Sequence, residues 1–216
     1  KAGKEAYVEP VIEGGGYRFT VKVGKPKDAE AAKNGTKLAR ANFVCLMSGA
    51  PISSSYIMEE CKAGRTGARL MAIVAEGERG KVYLTPTPEH YAAARKAKPE
   101  WMPVGDTPSQ LTGGGAQAYR YGLTTWAHLF TPRQLVALTT FSDLAQEARD
   151  QAKRDASAAG LPADEADAYA RTVATFLALV ADRCADFNNG LCRWSSSGQK
   201  VMNLFGRQAM PMAWDF

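Results

Sequence analysis

A chain of 216 residues can bury one sizeable core, or one core with a small satellite. Its hydrophobic share of 45% and charged share of 23% suit a soluble globular protein. The longest uncharged apolar runs, such as Leu177-Ala178-Leu179-Val180-Ala181, fall well short of the roughly 20 residues that a membrane span needs.

The charged start, Lys1-Ala2-Gly3-Lys4-Glu5, lacks the apolar segment of a signal peptide, and the missing initiator Met suggests a fragment or a processed start. Four scattered cysteines, Cys45, Cys61, Cys184 and Cys192, read as reduced thiols of a cytoplasmic protein rather than as a disulfide framework. The net charge of +5 is unevenly placed. Residues 1–99 carry 17 Lys/Arg against 10 Asp/Glu, and residues 100–216 carry 10 against 12. A basic first half permits a polyanion partner without demanding one.

Residues 5–23 read as a β-hairpin. Tyr17, Phe19, Val21 and Val23 alternate with polar residues at the period of a half-buried strand, and Gly14-Gly15-Gly16 supplies the turn. Lys25 to Arg40 is polar with a weak helical period and suits a surface excursion. A second β unit is expected over residues 42–85. Phe43-Val44-Cys45 leads into a turn at Ser48-Gly49-Ala50-Pro51, and strands at Arg69–Ala75 and Lys81–Leu84 join across Glu76-Gly77-Glu78-Arg79-Gly80. The uncharged run Leu70–Ala75 predicts a strand buried on both faces.

Thr87-Pro88 opens a short helix with Thr as N-cap, Pro at the first helical position and basic residues at its end. Pro99, Pro103, Pro108 and Gly113-Gly114-Gly115 then mark an irregular connection. From Thr131 the pattern is helical, opened by the capping box Thr131-Pro132-Arg133-Gln134. Leu135, Leu138, Phe141, Ala145, Ala148 and Ala152 form one stripe. After Gly160-Leu161-Pro162 a second helix carries Tyr169, Val173, Phe176, Val180, Cys184 and Phe187 at spacings of three and four. The short loop predicts an antiparallel hairpin, and a brief third helix is expected at about residues 198–205. The fold class is therefore α+β. A basic β-rich unit (1–98), a Pro/Gly-rich connection (99–130) and a helical unit (131–216) follow one another.

Catalytic templates find no match in this sequence. His90 and His128 lack a nucleophile setting, no Gly-rich turn leads into Lys-Ser/Thr, and the acids Asp164, Glu165 and Asp167 suit the first turn of a helix. Cys45-Leu46-Met47-Ser48-Gly49 has the shape of one zinc-ribbon knuckle with its second Cys replaced by Ser. A hydroxyl is no substitute for a thiolate ligand, so Cys45 reads as a relic ligand and no metal is expected. Lys62, Arg65, Arg69, Arg79 and Lys81 are the candidate nucleic-acid contacts, through phosphates. A solvated basic rim accounts for them equally well, and pairing with Glu59, Glu60, Glu76 or Glu78 would favour it. The aromatic run from Tyr119 to Trp126 fits core or staple positions better than base-stacking faces.

Three blocks carry a resemblance: Lys62–Gly77, Tyr121–Trp126 running into Leu129–Leu144, and Phe205–Phe216. Together they resemble the central region of adenine-specific DNA methylases of the DUF1156 family. The resemblance implies a parent N6-adenine DNA methyltransferase using S-adenosylmethionine, with its cofactor loop upstream and its Asp-Pro-Pro-Tyr motif downstream. Neither motif is present in this chain, so no catalytic or cofactor residue carries over. The family's zinc-ribbon-like element maps in part onto Cys45, with Ser48 departing from it. The implied role is an accessory region that contacts the remainder of the methyltransferase and DNA, with no membrane. The alternative is a structural or protein-interaction module without nucleic-acid contact.

Overall fold

The computed structural model describes residues 5–40, 42–109 and 117–203. It is α+β, with antiparallel hairpins in the first half and a long helical pair in the second. The first hairpin joins β1 (Ala6–Glu13) to β2 (Gly16–Val23) in an eight-pair register. Its two-residue turn needs positive φ at both centres, which Gly14 (φ 57°) and Gly15 (φ 74°) supply. Phe19 is buried, with Tyr17 against it edge-on.

The polar stretch that follows holds α1 (Ala29–Asn34), capped by Asp28, whose carboxylate accepts from Ala31 N. The expected second β unit is broken by a helix. β3 (Phe43–Val44) and β4 (Pro51–Ile52) make a two-pair ladder, and α2 (Ser54–Lys62) follows. The Ser53 hydroxyl accepts from Tyr56 N at the start of α2, so the serine cluster is a cap rather than a loop.

β5 (Ile73–Gly77) and β6 (Gly80–Leu84) form the third hairpin, with Glu78 and Arg79 alone in the turn. The strand expected from Arg69 starts instead at Ile73, and it is not buried on both faces: Val74 is 41% exposed. A two-stranded hairpin has open edges and cannot cover both faces of a central strand. One link ties the first hairpin to the third, Val21 N donating to Thr85 Oγ1 at 2.9 Å.

α3 (Pro88–Arg95) starts at Thr87 as its sequence predicts, and Tyr91 Oη on it donates to Leu70 O at 2.6 Å. In the connection, Asp106 bridges to Thr125, and a short α4 (Gln117–Arg120) precedes a 3-10 turn at Trp126–Leu129. Gly113, Gly114 and Gly115 lie outside the described residues. Gly122 (φ 76°) lets this region meet the end of α2: a Cβ there would stand 2.8 Å from Cys61 O.

α5 (Pro132–Ala158) opens on the expected reciprocal cap, Thr131 N to Gln134 Oε1 at 2.9 Å and Gln134 N to Thr131 Oγ1 at 3.4 Å. Gly160 (φ 90°) closes the turn into α6 (Ala163–Phe187). The two pack as an antiparallel hairpin about 40 Å long. On α5 the stripe read in the sequence is kept, except at Phe141, with Leu135 and Ala145 buried, but on α6 the contact line differs from it. It runs through small residues: Ala145 and Ala156 on α5 are buried, and Ala166 and Ala170 on α6 have no exposed surface. Phe141, Tyr169, Phe176 and Val180, all expected inside, are 50%, 54%, 66% and 60% exposed. Small side chains bring the helix axes close, and large ones on the adjoining positions are then pushed to the flank.

The helix expected at 198–205 is a fourth hairpin instead, β7 (Arg193–Ser195) with β8 (Lys200–Met202). Gln199 adopts a left-handed φ of 48° in its turn, and Gly198 N donates to Ser195 Oγ. Trp194 lies edge-on to Tyr83, which docks this hairpin on the third. The resemblance block from Phe205 onward lies outside the described residues.

Two outcomes check this packing. Ala170→Leu forces extra methylenes into the closest helix contact and should cost about 1–3 kcal/mol, read as a lower urea midpoint at unchanged slope. Asp167 holds Lys153 at 3.0 Å and also pairs with Arg171. These partners, chiefly the Lys153 hydrogen bond, hold its carboxyl below the usual range. A depressed folded value means stabilisation that is present above the ordinary Asp value of about 3.9 and fades as pH falls through the lower folded value. Asp167→Asn should therefore lower the melting temperature at neutral pH, and the gap from the parent should close in strong acid.

Candidate functional site

Of the five candidate phosphate contacts, Arg69 and Lys81 sit at joints of the fold. Lys62 ends α2, where a cation complements the helix dipole, and its backbone meets Gly122. Arg65 reaches back to Glu60 with two parallel hydrogen bonds of 2.7 and 2.8 Å. That fork raises the Arg65 value and lowers that of Glu60. Arg69 donates to Tyr17 O at 3.2 Å and lies 4.5 Å over the Tyr17 ring, fastening the approach to β5 onto the first hairpin. Lys81 donates to Gln199 O and lies 5.7 Å over the Trp194 ring, fastening the third hairpin to the fourth. In the ladder Glu76 stands directly opposite Lys81. Arg79 occupies the tip of the third hairpin. Arg65, Arg69 and Lys81 therefore engage different elements, and Arg65 takes the acidic partner that favours the rim reading.

The knuckle-like turn at Cys45 does form. Gly49 N donates to Cys45 O at 2.9 Å, and Cys45 N to Ala50 O at 2.7 Å. Hydrogen bonding from the Ser48 hydroxyl, then from the Ser48 and Met47 backbone, holds the Cys45 thiol below its ordinary value. Ser48 thus stands as a hydrogen-bond donor to Cys45 where the zinc-ribbon pattern would place a second ligand. Among the described residues no three His, Cys, Asp or Glu side chains gather as a metal site. His90 is a capping residue, its Nδ1 3.1 Å from Thr87 N, and His128 Nδ1 lies 3.5 Å from Thr124 Oγ1. Along the aromatic run Tyr119 and Trp126 are about two-fifths exposed, and the Trp126 ring lies beside Gly105.

An open feature stands where the sequence reading placed core residues. The outer flank of α6 carries an open apolar groove of about 430 Å³, lined by Phe176, Leu179, Val180, Arg183, Cys184 and Phe187 with Asn188 at its end. Arg183 crosses it, 4.5 Å over the Phe187 ring and 2.7 Å from Asp186 Oδ2. The parallel line of alanines at 166 and 170 was the available signal: it supplies a second stripe able to face α5, which frees the larger one.

The Cys45 turn has a direct check. Ser48→Ala removes the leading hydrogen bond, so the pH midpoint for alkylation of Cys45 should move up, measured with the other three cysteines replaced by Ser. An unmoved midpoint would mean that the backbone amides alone hold the thiolate.

The chain matches no family model, no curated protein and no solved structure.

Proposed function

We propose that this chain is a non-catalytic accessory region of a larger S-adenosylmethionine-dependent N6-adenine DNA methyltransferase, and that its task is protein contact rather than DNA grip. The parent rests on the sequence resemblance alone. The task rests on one observation: the helical hairpin leaves Phe176, Val180 and the groove beside them uncovered. An exposed apolar face of this kind marks an interaction surface. The basic residues support the same reading, since Arg65, Arg69 and Lys81 brace the β-rich half from within.

Filter binding of the chain to a duplex oligonucleotide across a salt series tests this. Replacing Lys62, Arg65, Arg69, Arg79 and Lys81 by Gln should leave the salt slope unchanged, while lowering the melting temperature. Were the five phosphate contacts, the slope would shrink by roughly 0.9 for each. That result would hand the role to DNA binding. For the docking half, Phe176→Asp should abolish the chain's association with protein, whether its own second copy or the flanking polypeptide of the parent, without loss of helix content; retained association sinks it.

A further inference from the structure

The docking face has an occupant that its own symmetry suggests. Helical period places Phe141, Leu144 and Ala148 roughly 100° to one side of the α5 line that meets α6. Tyr169, Phe176, Val180 and Phe187 lie at a similar offset of the same sign on α6. In an antiparallel pair, equal offsets of one sign fall on the same side of the hairpin. The two flanks therefore join into one face, two helices wide. The opposite flank of α5 is engaged differently: there Trp101 Nε1 donates to both Asp143 carboxylate oxygens at 3.1 Å.

The register is fixed by Lys153 against Asp167, which brings Phe176 and Val180 level with Leu144 and Phe141. Five residues of this face are half exposed or more, Phe176 66%, Val180 60%, Leu179 60%, Tyr169 54% and Phe141 50%, and Leu144 is 49% exposed. With a bare aromatic side chain contributing roughly 150–250 Å², they present on the order of 600 Å² of apolar surface. A stable interface takes about 800 Å² from each partner, so the apolar patch with its polar rim is of the size needed.

Charge supplies the orientation. Arg183 lies on this face near one end of α6, and Glu165 lies on it near the interhelical loop. Phe176 and Leu144 stand about midway between them. A two-fold axis through that midpoint, perpendicular to the helices, would lay Phe176 on its own copy. It would also bring Arg183 of each chain within one helical turn of Glu165 of the other, both on α6. A self-complementary patch of this kind is what a two-fold interface requires.

The geometry points to a second copy of this chain on the hairpin face, making an antiparallel four-helix bundle centred on Phe176 and Leu144. The inference rests on the docking reading above and names its partner.

Sedimentation equilibrium of the 216-residue chain across a concentration series tests it. The expected result is a monomer–dimer equilibrium that Phe176→Asp weakens roughly 30-fold or more, while Asp182→Arg on the far flank of α6 leaves it unchanged. Reversing Arg183 alone to Glu should weaken the dimer about 10-fold. Adding Glu165→Arg should restore it, which a merely structural defect would not allow. Circular dichroism checks that each variant keeps its helices. A chain that is monomeric throughout, or a dimer indifferent to Phe176→Asp, overturns the proposal. A monomer that still binds its parent's flanking polypeptide through Phe176 removes the second copy and leaves the docking reading in place. A monomer that dimerises through Phe176 only after deletion of residues 204–216 identifies that segment as the occupant and likewise overturns the proposal.

Discussion

The close antiparallel contact of α5 with α6 through alanine sets the terms for the helical half. Ala166 and Ala170 have no exposed surface, and Ala145 and Ala156 are nearly as deep. Side chains this small bury little area each, roughly one methyl group. They stabilise chiefly by letting long stretches of backbone and neighbouring side chains approach. A seam so narrow has no room for Phe141, Phe176 or Val180, which must then lie beside it. The apolar face is thus a direct consequence of how the hairpin closes, and no separate feature of the sequence is needed to create it.

The β-rich half is built on a different principle. Its three described two-stranded ladders, and a fourth after α6, pair as separate hairpins, and an isolated two-stranded ladder is marginal in water. What joins them is a set of side-chain fasteners: Val21 to Thr85, Arg69 to Tyr17, and Lys81 to Gln199 and Trp194. Arg and Lys suit this work because the charged head can lie over an aromatic face and still donate to a carbonyl. The excess positive charge of the first half is therefore partly architectural. A tally of charge along a sequence cannot tell such a fastener from a phosphate contact, since both are Lys or Arg at an exposed position.

What could be read in the sequence follows the range of the forces involved. Caps and turns are local, and Thr131 with Gln134, Gly14 with Gly15, and Thr87 with Pro88 act as their residue types dictate. The antiparallel hairpin was legible because a short loop leaves two long helices little choice. The errors lie where a distant partner decides. Residues 198–202 turn into a hairpin because Trp194 finds Tyr83, more than a hundred positions earlier. Leu70 to Ala72 stay out of the strand, with Leu70 O taken by the Tyr91 hydroxyl. The candidate site was missed for a related reason. Two apolar stripes compete on α6, and hydrophobicity alone favours the larger one, whereas closeness of approach favours the alanines.

These two halves bear on one question, namely where binding energy can come from. Arg69 and Lys81 already donate to other hairpins, so a polyanion drawing them away would compete with contacts that hold the hairpins together. Phe176 and Val180 face no such conflict. Covering them breaks nothing in the fold and removes apolar surface from water, at about 25 cal/mol per Å². Association through the helices is for that reason the physically easier course, and the basic half can serve it by holding the β-rich scaffold in one piece beside the hairpin.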